Sequence, residues 1–281
     1  MKFNDSCAKC MYDRQAKKTD NKEYLAKIRD ILDNRSPDVT SSQLVVEINK
    51  VHEKYFGPLP SFKEVKKEYN DLVLSMEEDL RNKIQSSKDP LATSIIMARI
   101  GNYIDFAALS YVSTDTFLEL FNNTDMREDE KEAYASFCDQ CAKAKTFLLL
   151  TDNCGEIVLD KLMIEQIKKR FPNLSFTVMV RGGEVSNDAT IEDAMYIGMD
   201  SIATVITNGK KIAGTVYSLL SDEAKSVVDN ADVILSKGQA NYESFAGEGR
   251  HAFYSLLCKC ELFINRFHVP QLTGIFVEEA G

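Results

Sequence analysis

Residues 146–156 read Thr-Phe-Leu-Leu-Leu-Thr-Asp-Asn-Cys-Gly-Glu, a short apolar run that stops abruptly at polar residues. The run does not alternate between apolar and polar positions, which is typical of a strand buried on both faces of a sheet. Residues 157–170 then have helical periodicity and carry three basic residues in the last turn. This stretch therefore predicts a strand, a polar loop and a helix in direct succession.

Similar apolar runs recur along the rest of the chain. They lie at residues 175–180, 202–206 and 233–235, and two further candidate strands lie at 252–257 and 274–277. Helical stretches separate the runs, for example at residues 223–230. Repeated strand–helix–strand units form parallel sheets that helices cover on both faces. Residues 145–281 are therefore predicted to form an α/β domain with a three-layer, Rossmann-like parallel sheet.

The chain before residue 145 has a different periodicity. Its apolar residues recur at steps of three and four, as Tyr24, Ile28 and Ile31 do, which is typical of amphipathic helices. Ser61 followed by Glu64 has the spacing of a capping box that opens a further helix. Residues 1–144 are therefore predicted to form an all-helical N-terminal domain.

Composition limits the partners that this chain can bind. A net charge of −9 opposes binding to a polyanion, so we expect no nucleic-acid partner. No apolar run approaches the ~18 residues that a membrane-spanning helix needs, and none follows Lys2, so we expect neither a membrane nor a secretory location. The seven cysteines are too sparse for a disulfide framework. These features indicate a cytoplasmic protein and leave its oligomeric state open.

Polar residues follow each of the four apolar runs, and the candidate site residues come after the first, second and fourth. Ligands bind at the carboxyl ends of the strands of an open parallel sheet, so these residues form the candidate site. Asp152, Asn153 and Asp188 offer the carboxylate and amide oxygens that Mg²⁺ and Mn²⁺ prefer. The same residues also suit turns and helix caps, but their position after successive predicted strands favours a functional edge.

An anion is expected beside this metal. Gly155 lets the backbone approach a ligand closely, and the helix that begins there directs its first N–H groups to the same place. Arg181 and Lys237 add positive charge. A metal, a helix N-terminus and one or two cations together predict a site for a phosphate ester. The sequence contains no glycine-rich dinucleotide fingerprint, P-loop, zinc-protease motif or serine-hydrolase elbow.

At these residues the sequence resembles a family catalogued as domain of unknown function 89 and described as metal-dependent damage-control phosphatases. The matching elements lie at residues 152–156, 181–190, 237–243 and 101–105. Cys7-x-x-Cys10 and the pair Lys259-Cys260 match its shorter microbial branch. Gly183-Glu184 and Ala240 depart from the family's usual residues, so they bear on the choice of substrate.

The resemblance implies a helical part packed on a Rossmann-like part. It also implies that Asp152, Asn153 and Asp188 are the metal ligands, the same three residues that strand position selects. The implied activator is Mn²⁺, Co²⁺, Ni²⁺ or Mg²⁺. The implied reaction is hydrolysis of small phosphate monoesters such as sugar phosphates or phosphopantetheine-like metabolites.

For that reaction we expect a metal-activated water to attack phosphorus. Lys237 and backbone amides near Gly155 would neutralise the phosphoryl oxygens, and Glu156 would orient ligands or water. Asp152 could instead act as a nucleophile that forms an aspartyl-phosphate. The remaining candidates are expected to contact the substrate: Asn102, Asp105, Gly155, Arg181, Asn187 and Asn241.

Two other functions stay open at this point. Methyl transfer from S-adenosylmethionine has been proposed for distant members of the family, but the second predicted strand runs into Arg181 rather than into an acidic residue that would hold the ribose. The other alternative is a non-catalytic thiol-based metal or redox protein. Its candidate soft-metal ligands are Cys7, Cys10, Cys258 and Cys260.

Overall fold

The computed structural model contains a six-stranded sheet with helices on both faces, and it describes residues 3–104, 121 and 126–280. The strands are β1 (Thr146–Leu150), β2 (Ser175–Val180), β3 (Thr204–Thr207), β4 (Val233–Lys237), β5 (Ala252–Leu257) and β6 (Gly274–Glu279). Their order across the sheet is β3-β2-β1-β4-β5-β6, and neighbours among the first five are parallel. The predicted α/β fold is confirmed.

Two details of the sheet differ from the prediction. Strand β6 runs antiparallel to β5, with Leu257 opposite Gly274, because the chain turns back at the edge where β5 ends. Strand β3 begins at Thr204 rather than at residue 202, because the chain just before it forms a 3₁₀ helix at Met199–Ser201.

Helices account for the regular structure described before residue 145. They are α1 (Asp5–Ala16), α2 (Lys22–Asp33), α3 (Ser41–Phe56), α4 (Lys63–Ser75), α5 (Glu77–Ser86), α6 (Pro90–Gly101) and α7 (Lys131–Lys143). The helices between the strands are α8 (Glu156–Arg170), α9 (Ile191–Tyr196), α10 (Asp222–Asp229), α11 (Gln239–Phe245) and α12 (Glu261–Phe267). None of the helices in the described ranges is long and apolar enough to cross a membrane.

The largest apolar cluster joins the helical segment to the sheet. Ile95 and Met97 of α6 pack with Leu159 and Leu162 of α8 and with Phe147 of β1. Every residue of α6 after its proline is buried, so this helix is an internal layer rather than a surface element. A second cluster covers the opposite face of the sheet, and a third joins α2 to α3. The N-terminal helices therefore share a core with the α/β part.

The start of α4 differs from the prediction. Helix α4 begins at Lys63 without a side-chain cap, so the predicted capping box of Ser61 and Glu64 is wrong. The carboxylate of Glu184 accepts hydrogen bonds from Ser61 Oγ at 3.1 Å and from the Phe62 backbone nitrogen at 3.0 Å. A carboxylate is stabilising near a helix N-terminus, so a residue from the loop after β2 takes the place of the local cap.

Candidate active site

Two loops meet at the carboxyl edge of the sheet, one after β1 and one after β2. The Ala189 nitrogen donates to the Asp152 carbonyl at 2.8 Å, and the Cys154 nitrogen donates to the Asn187 carbonyl at 2.8 Å. These backbone bonds hold the two loops together. The predicted metal ligands from β1 and from the β2 loop therefore come to one place, as the rule for parallel sheets requires.

Arg181 lies between the two carboxylates of this site. Its Nε donates to Asp188 Oδ2 at 2.6 Å, and its Nη2 lies 3.4 Å from Asp152 Oδ1. All three side chains are buried. A buried guanidinium that contacts two carboxylates in this way orders them rather than serving as a mobile contact for substrate.

The environment of Asp152 carries a surplus of negative charge. Burial raises the pKa of Asp152 well above its ordinary value, and the carboxylates of Asp188 and Glu156 raise it further. Arg181 and Lys259 act in the opposite direction without cancelling the rise. A buried cluster of acids with too few cations is a place where a bound cation would be strongly favoured.

Two asparagines hold the carboxylates of Asp152 and Glu156 in position. Asn102 Nδ2 lies 2.7 Å from Asp152 Oδ2 and 2.9 Å from Glu156 Oε2, and Asn153 Nδ2 lies 3.0 and 3.1 Å from the same two oxygens. The amide nitrogen of Asn153 is thus engaged, which leaves its Oδ1 as the oxygen that would bind a metal ion. The Oδ1 of Asn102 is buried and has no hydrogen-bond partner among the described residues.

The backbone of the turn after β4 lies directly against Asp152. Gly238 has a φ of 78°, and a Cβ atom built on it would lie only 1.9 Å from Asp152 Oδ2. A glycine is therefore required here for two reasons, its left-handed conformation and the close approach of a carboxylate. This turn forms one wall of the candidate metal site.

Comparison with known proteins identifies the family. The model of the Damage-control phosphatase ARMT1-like domain matches residues 3–273. The chain belongs to this family. It is 29% identical to a damage-control phosphatase of Archaeoglobus fulgidus over 93% of both chains, and 27% identical to one of Pyrococcus horikoshii over 85% of this chain and 80% of the relative.

A solved structure has the same fold. It is a protein of the domain of unknown function 89 family from Pyrococcus horikoshii, with a TM-score of 0.76 and 24% identity over 99% of each chain. The family match and the named relatives confirm the resemblance noted in the sequence. The family match and the named relatives support a phosphatase role for this chain, and they do not favour either alternative function.

In this damage-control phosphatase family member, Lys237 does not face open space at the site. Its Nζ lies 2.7 Å from Glu156 Oε1, 2.5 Å from Asp160 Oδ1 and 3.1 Å from the Ala98 carbonyl, and the side chain is fully buried. An ammonium group has three protons to donate, so these three acceptors use all of them. Lys237 is thus connected to the candidate metal ligand Asn153 through Glu156.

Three other residues that were predicted to contact the substrate make hydrogen bonds within the protein. Asn241 donates to the Thr151 and Lys237 carbonyls at 2.8 and 2.6 Å, so its amide nitrogen anchors the turn after β4. The Gly155 nitrogen donates to Asn70 Oδ1 at 2.7 Å, across to α4. Asn187 accepts from a neighbouring serine, but its Nδ2 is buried without a hydrogen-bond partner among the described residues. Asp105 lies outside the described residues.

Lys259 and Asp160 belong to the surroundings of the site but are not among the residues that the sequence pattern indicates. Lys259 follows β5, is buried, and lowers the pKa of Asp152. Its position after the fifth strand was the available signal, since the same rule had selected residues after three other strands. Asp160 lies one turn after Glu156 on a helix whose inward residues are otherwise mostly apolar, and a fully buried acid there indicates a partner inside the fold.

The four cysteines of the predicted soft-metal site lie on α1 and beside α12. Burial raises the pKa of Cys7, and Cys260 and Cys10 add smaller electrostatic effects in the same direction. Burial also raises the pKa of Cys258 to about 11. Within residues 3–104, 121 and 126–280, no group of three or more His, Cys, Asp or Glu side chains is arranged to hold a metal. The soft-metal site stays a prediction. The candidate hard-metal site is not a group of this kind, because one of its three ligands is an amide.

Proposed function

We propose that this protein is a metal-dependent phosphatase that hydrolyses small phosphate monoesters. The observation that carries the proposal is the meeting of two buried acids from different loops, Asp152 and Asp188, at the guanidinium of Arg181. With Asn153, they offer a set of oxygen donors, which suits a hard divalent cation and not a soft one. When bound there, Mn²⁺, Co²⁺, Ni²⁺ or Mg²⁺ would supply a Lewis acid that lowers the pKa of water.

The contacts of Asp152 support water as the nucleophile. Both of its carboxylate oxygens are engaged, Oδ2 by the amides of Asn102 and Asn153 and Oδ1 by Arg181. A carboxylate held at both oxygens is suited to a fixed ligand position rather than to attack on phosphorus. We therefore assign Asp152 the role of ligand, with an aspartyl-phosphate as the alternative.

Charge neutralisation at the phosphoryl oxygens needs a cation near Asp152. Lys237 is committed to Glu156 and Asp160. Lys259, two residues after β5, acts electrostatically on Asp152 itself. We therefore propose that Lys259 rather than Lys237 neutralises the phosphate. Glu156 keeps its proposed role of orienting ligands, because it accepts hydrogen bonds from both site asparagines.

The burial and polarity of the site support a small substrate. Asp152, Asp188 and Asn187 are almost completely buried, so a compact phosphate ester fits better than a macromolecule. The buried Asn102 Oδ1 can accept a hydrogen bond from a substrate hydroxyl, and the buried Asn187 Nδ2 can donate one. These contacts suit sugar phosphates or phosphopantetheine-like metabolites in the cytoplasm.

A phosphatase assay with defined metals tests the proposal. The purified protein, stripped with EDTA, is assayed on a panel of phosphorylated metabolites with Mn²⁺, Co²⁺, Ni²⁺ or Mg²⁺. We expect phosphate release with at least one of these metals and none without metal. Asp188→Asn keeps the size of the side chain. Its phosphatase activity should fall at least 100-fold, which corresponds to about 3 kcal/mol of transition-state stabilisation. The exposed Asp200→Asn is the matched control and should retain full activity.

Release of phosphate in EDTA at the full rate would contradict metal dependence. Undiminished turnover by Asp188→Asn would contradict the site assignment. If no phosphate is released from any ester with any of the metals, the phosphatase proposal itself is rejected.

A further inference from the structure

A fully buried cluster of three charged side chains lies beneath the candidate metal site. Lys237 Nζ is 2.7 Å from Glu156 Oε1 and 2.5 Å from Asp160 Oδ1, and all three side chains have no exposed surface. The cluster contains two carboxylates and one ammonium group. Glu156 and Asp160 lie one turn apart on α8, and Lys237 reaches them from the end of β4.

This cluster is not explained by stability. Burying an ion pair is at best a weak source of stability, and burying an additional carboxylate is unfavourable. The second oxygen of Asp160, Oδ2, has no hydrogen-bond partner among the described residues. Burial raises the pKa of Asp160 to about 7, although Lys237 opposes the rise. An asparagine at this position would still offer Lys237 an acceptor oxygen without the additional buried negative charge.

The contacts continue from the cluster to a proposed metal ligand. Glu156 faces Lys237 with Oε1, and with Oε2 it accepts hydrogen bonds from Asn153 Nδ2 at 3.1 Å and from Asn102 Nδ2 at 2.9 Å. Those bonds set the orientation of the Asn153 amide and so the direction of its oxygen. Asp160 draws part of the ammonium charge away from Glu156, which leaves Glu156 a stronger acceptor for the two asparagines.

We propose that Asp160 is a positioning residue of the metal site, which acts on the ligand Asn153 through Lys237 and Glu156. The inference rests on the proposed function, since it concerns the same metal. It assigns Asp160 no contact with substrate. It also gives Lys237 the role of linking Asp160 to Glu156, in place of contact with phosphate.

Metal affinity provides the test. Binding of Mn²⁺ to the full-length, EDTA-stripped protein is measured by isothermal titration calorimetry for the wild type, Asp160→Asn and Glu165→Gln. Glu165 is the matched control because it is a half-buried acid on the same helix that pairs with Arg81, away from the site. We expect Asp160→Asn to weaken Mn²⁺ binding by about 10- to 100-fold, the usual effect of losing a partner that orients a ligand. Glu165→Gln should bind Mn²⁺ as the wild type does.

Two further readouts separate positioning from a purely structural role. Asp160→Asn should melt at or above the wild-type temperature, because it removes an unfavourable buried charge. Its phosphatase activity should return when Mn²⁺ is raised above the weakened dissociation constant, with KM for the ester unchanged. Asp160→Ser, which also removes the charge, replaces Asp160→Asn if that variant does not fold.

The outcomes are distinct. A folded Asp160→Asn or Asp160→Ser that binds Mn²⁺ with wild-type affinity overturns the inference and leaves the proposed function intact. Activity that stays low at saturating Mn²⁺ also overturns it, because Asp160 would then act on the reaction rather than on the ligand. A wild-type protein that binds no Mn²⁺, Co²⁺, Ni²⁺ or Mg²⁺ overturns the proposed function, and the inference with it.

Discussion

Arg181 donates from Nε to Oδ2 of Asp188 over 2.6 Å, and both side chains are buried where the loop after β2 returns to the sheet. The guanidinium is also 3.4 Å from Asp152, so one cation serves two carboxylates from different loops. Removing it would leave both acids uncompensated in a buried site.

Replacing Arg181 with Met should therefore be strongly destabilising. We expect Arg181→Met to lower the free energy of unfolding by about 3–5 kcal/mol, the range for breaking a buried charge pair. Urea unfolding followed by circular dichroism, in EDTA, measures it. Lys67→Met removes an exposed partner of Asp71 and should leave the free energy of unfolding unchanged within error. Equal effects of the two substitutions would contradict the role given to Arg181.

Two glycines with left-handed backbones provide a matched pair at and away from the site. Gly238 and Gly247 have φ values of 78° and 85°. A Cβ built on Gly238 would collide with Asp152, whereas one built on Gly247 would have no atom outside its chain neighbours within 4 Å. In both alanine variants the strain of a positive φ should lower the free energy of unfolding by about 1–3 kcal/mol. Only Gly238→Ala should also displace Asp152, so it should melt lower than Gly247→Ala and bind Mn²⁺ at least tenfold more weakly. Identical Mn²⁺ affinities in calorimetry would show that the turn does not shape the site.

Asp160 should make the stability of the metal-free protein depend on pH. Its pKa is raised to about 7 in the folded state, chiefly by burial, while an unfolded chain has an Asp pKa of about 3.9. Between these values the folded protein keeps a proton that the unfolded chain releases, so the free energy of unfolding falls as pH rises from about 4 to about 7. Urea unfolding at pH 5 and pH 8 should show a smaller loss for Asp160→Asn than for the wild type or Glu165→Gln. A loss of the same size in all three proteins would reject this assignment.

Cys154 lies between two residues of the site but should be chemically inert. Its side chain is fully buried, and burial strongly raises its pKa, so thiolate is scarce at neutral pH. Cys10 is exposed. Ellman's reagent should modify Cys10 rapidly in the native protein and Cys154 only after unfolding in guanidinium, as mapped by mass spectrometry. Labelling of Cys154 in the native protein at the rate of Cys10 would contradict its burial.

The strands could be predicted because burial on both faces leaves an uninterrupted apolar run, as in β1. The direction of β6 could not, because residues 274–277 carry no signal that distinguishes a crossover from a return at the same edge. The start of α4 was predicted incorrectly because the capping box is a local pattern, whereas the carboxylate found there comes from Glu184, far along the chain.

For the candidate site, too, the sequence predicts where some residues lie but not which contacts others make. Asp152, Asn153 and Asp188 could be selected because the end of a strand fixes where a residue lies. The role of Lys237 could not be read from its position, because its Nζ is committed to Asp160, a residue on another element. A sequence shows which cations are available at a sheet edge. It does not show which of them are already neutralised inside the fold.

Two asparagines of the helical segment enter the chemistry of the sheet edge. Asn70 of α4 accepts the hydrogen bond from Gly155, and Asn102, just after α6, holds Asp152. A chimaera that joins the helices of one relative to the α/β part of another must therefore keep both asparagines in register with the first loop. The two parts of the chain are accordingly expected to have diverged together, since neither could be exchanged without rebuilding the site.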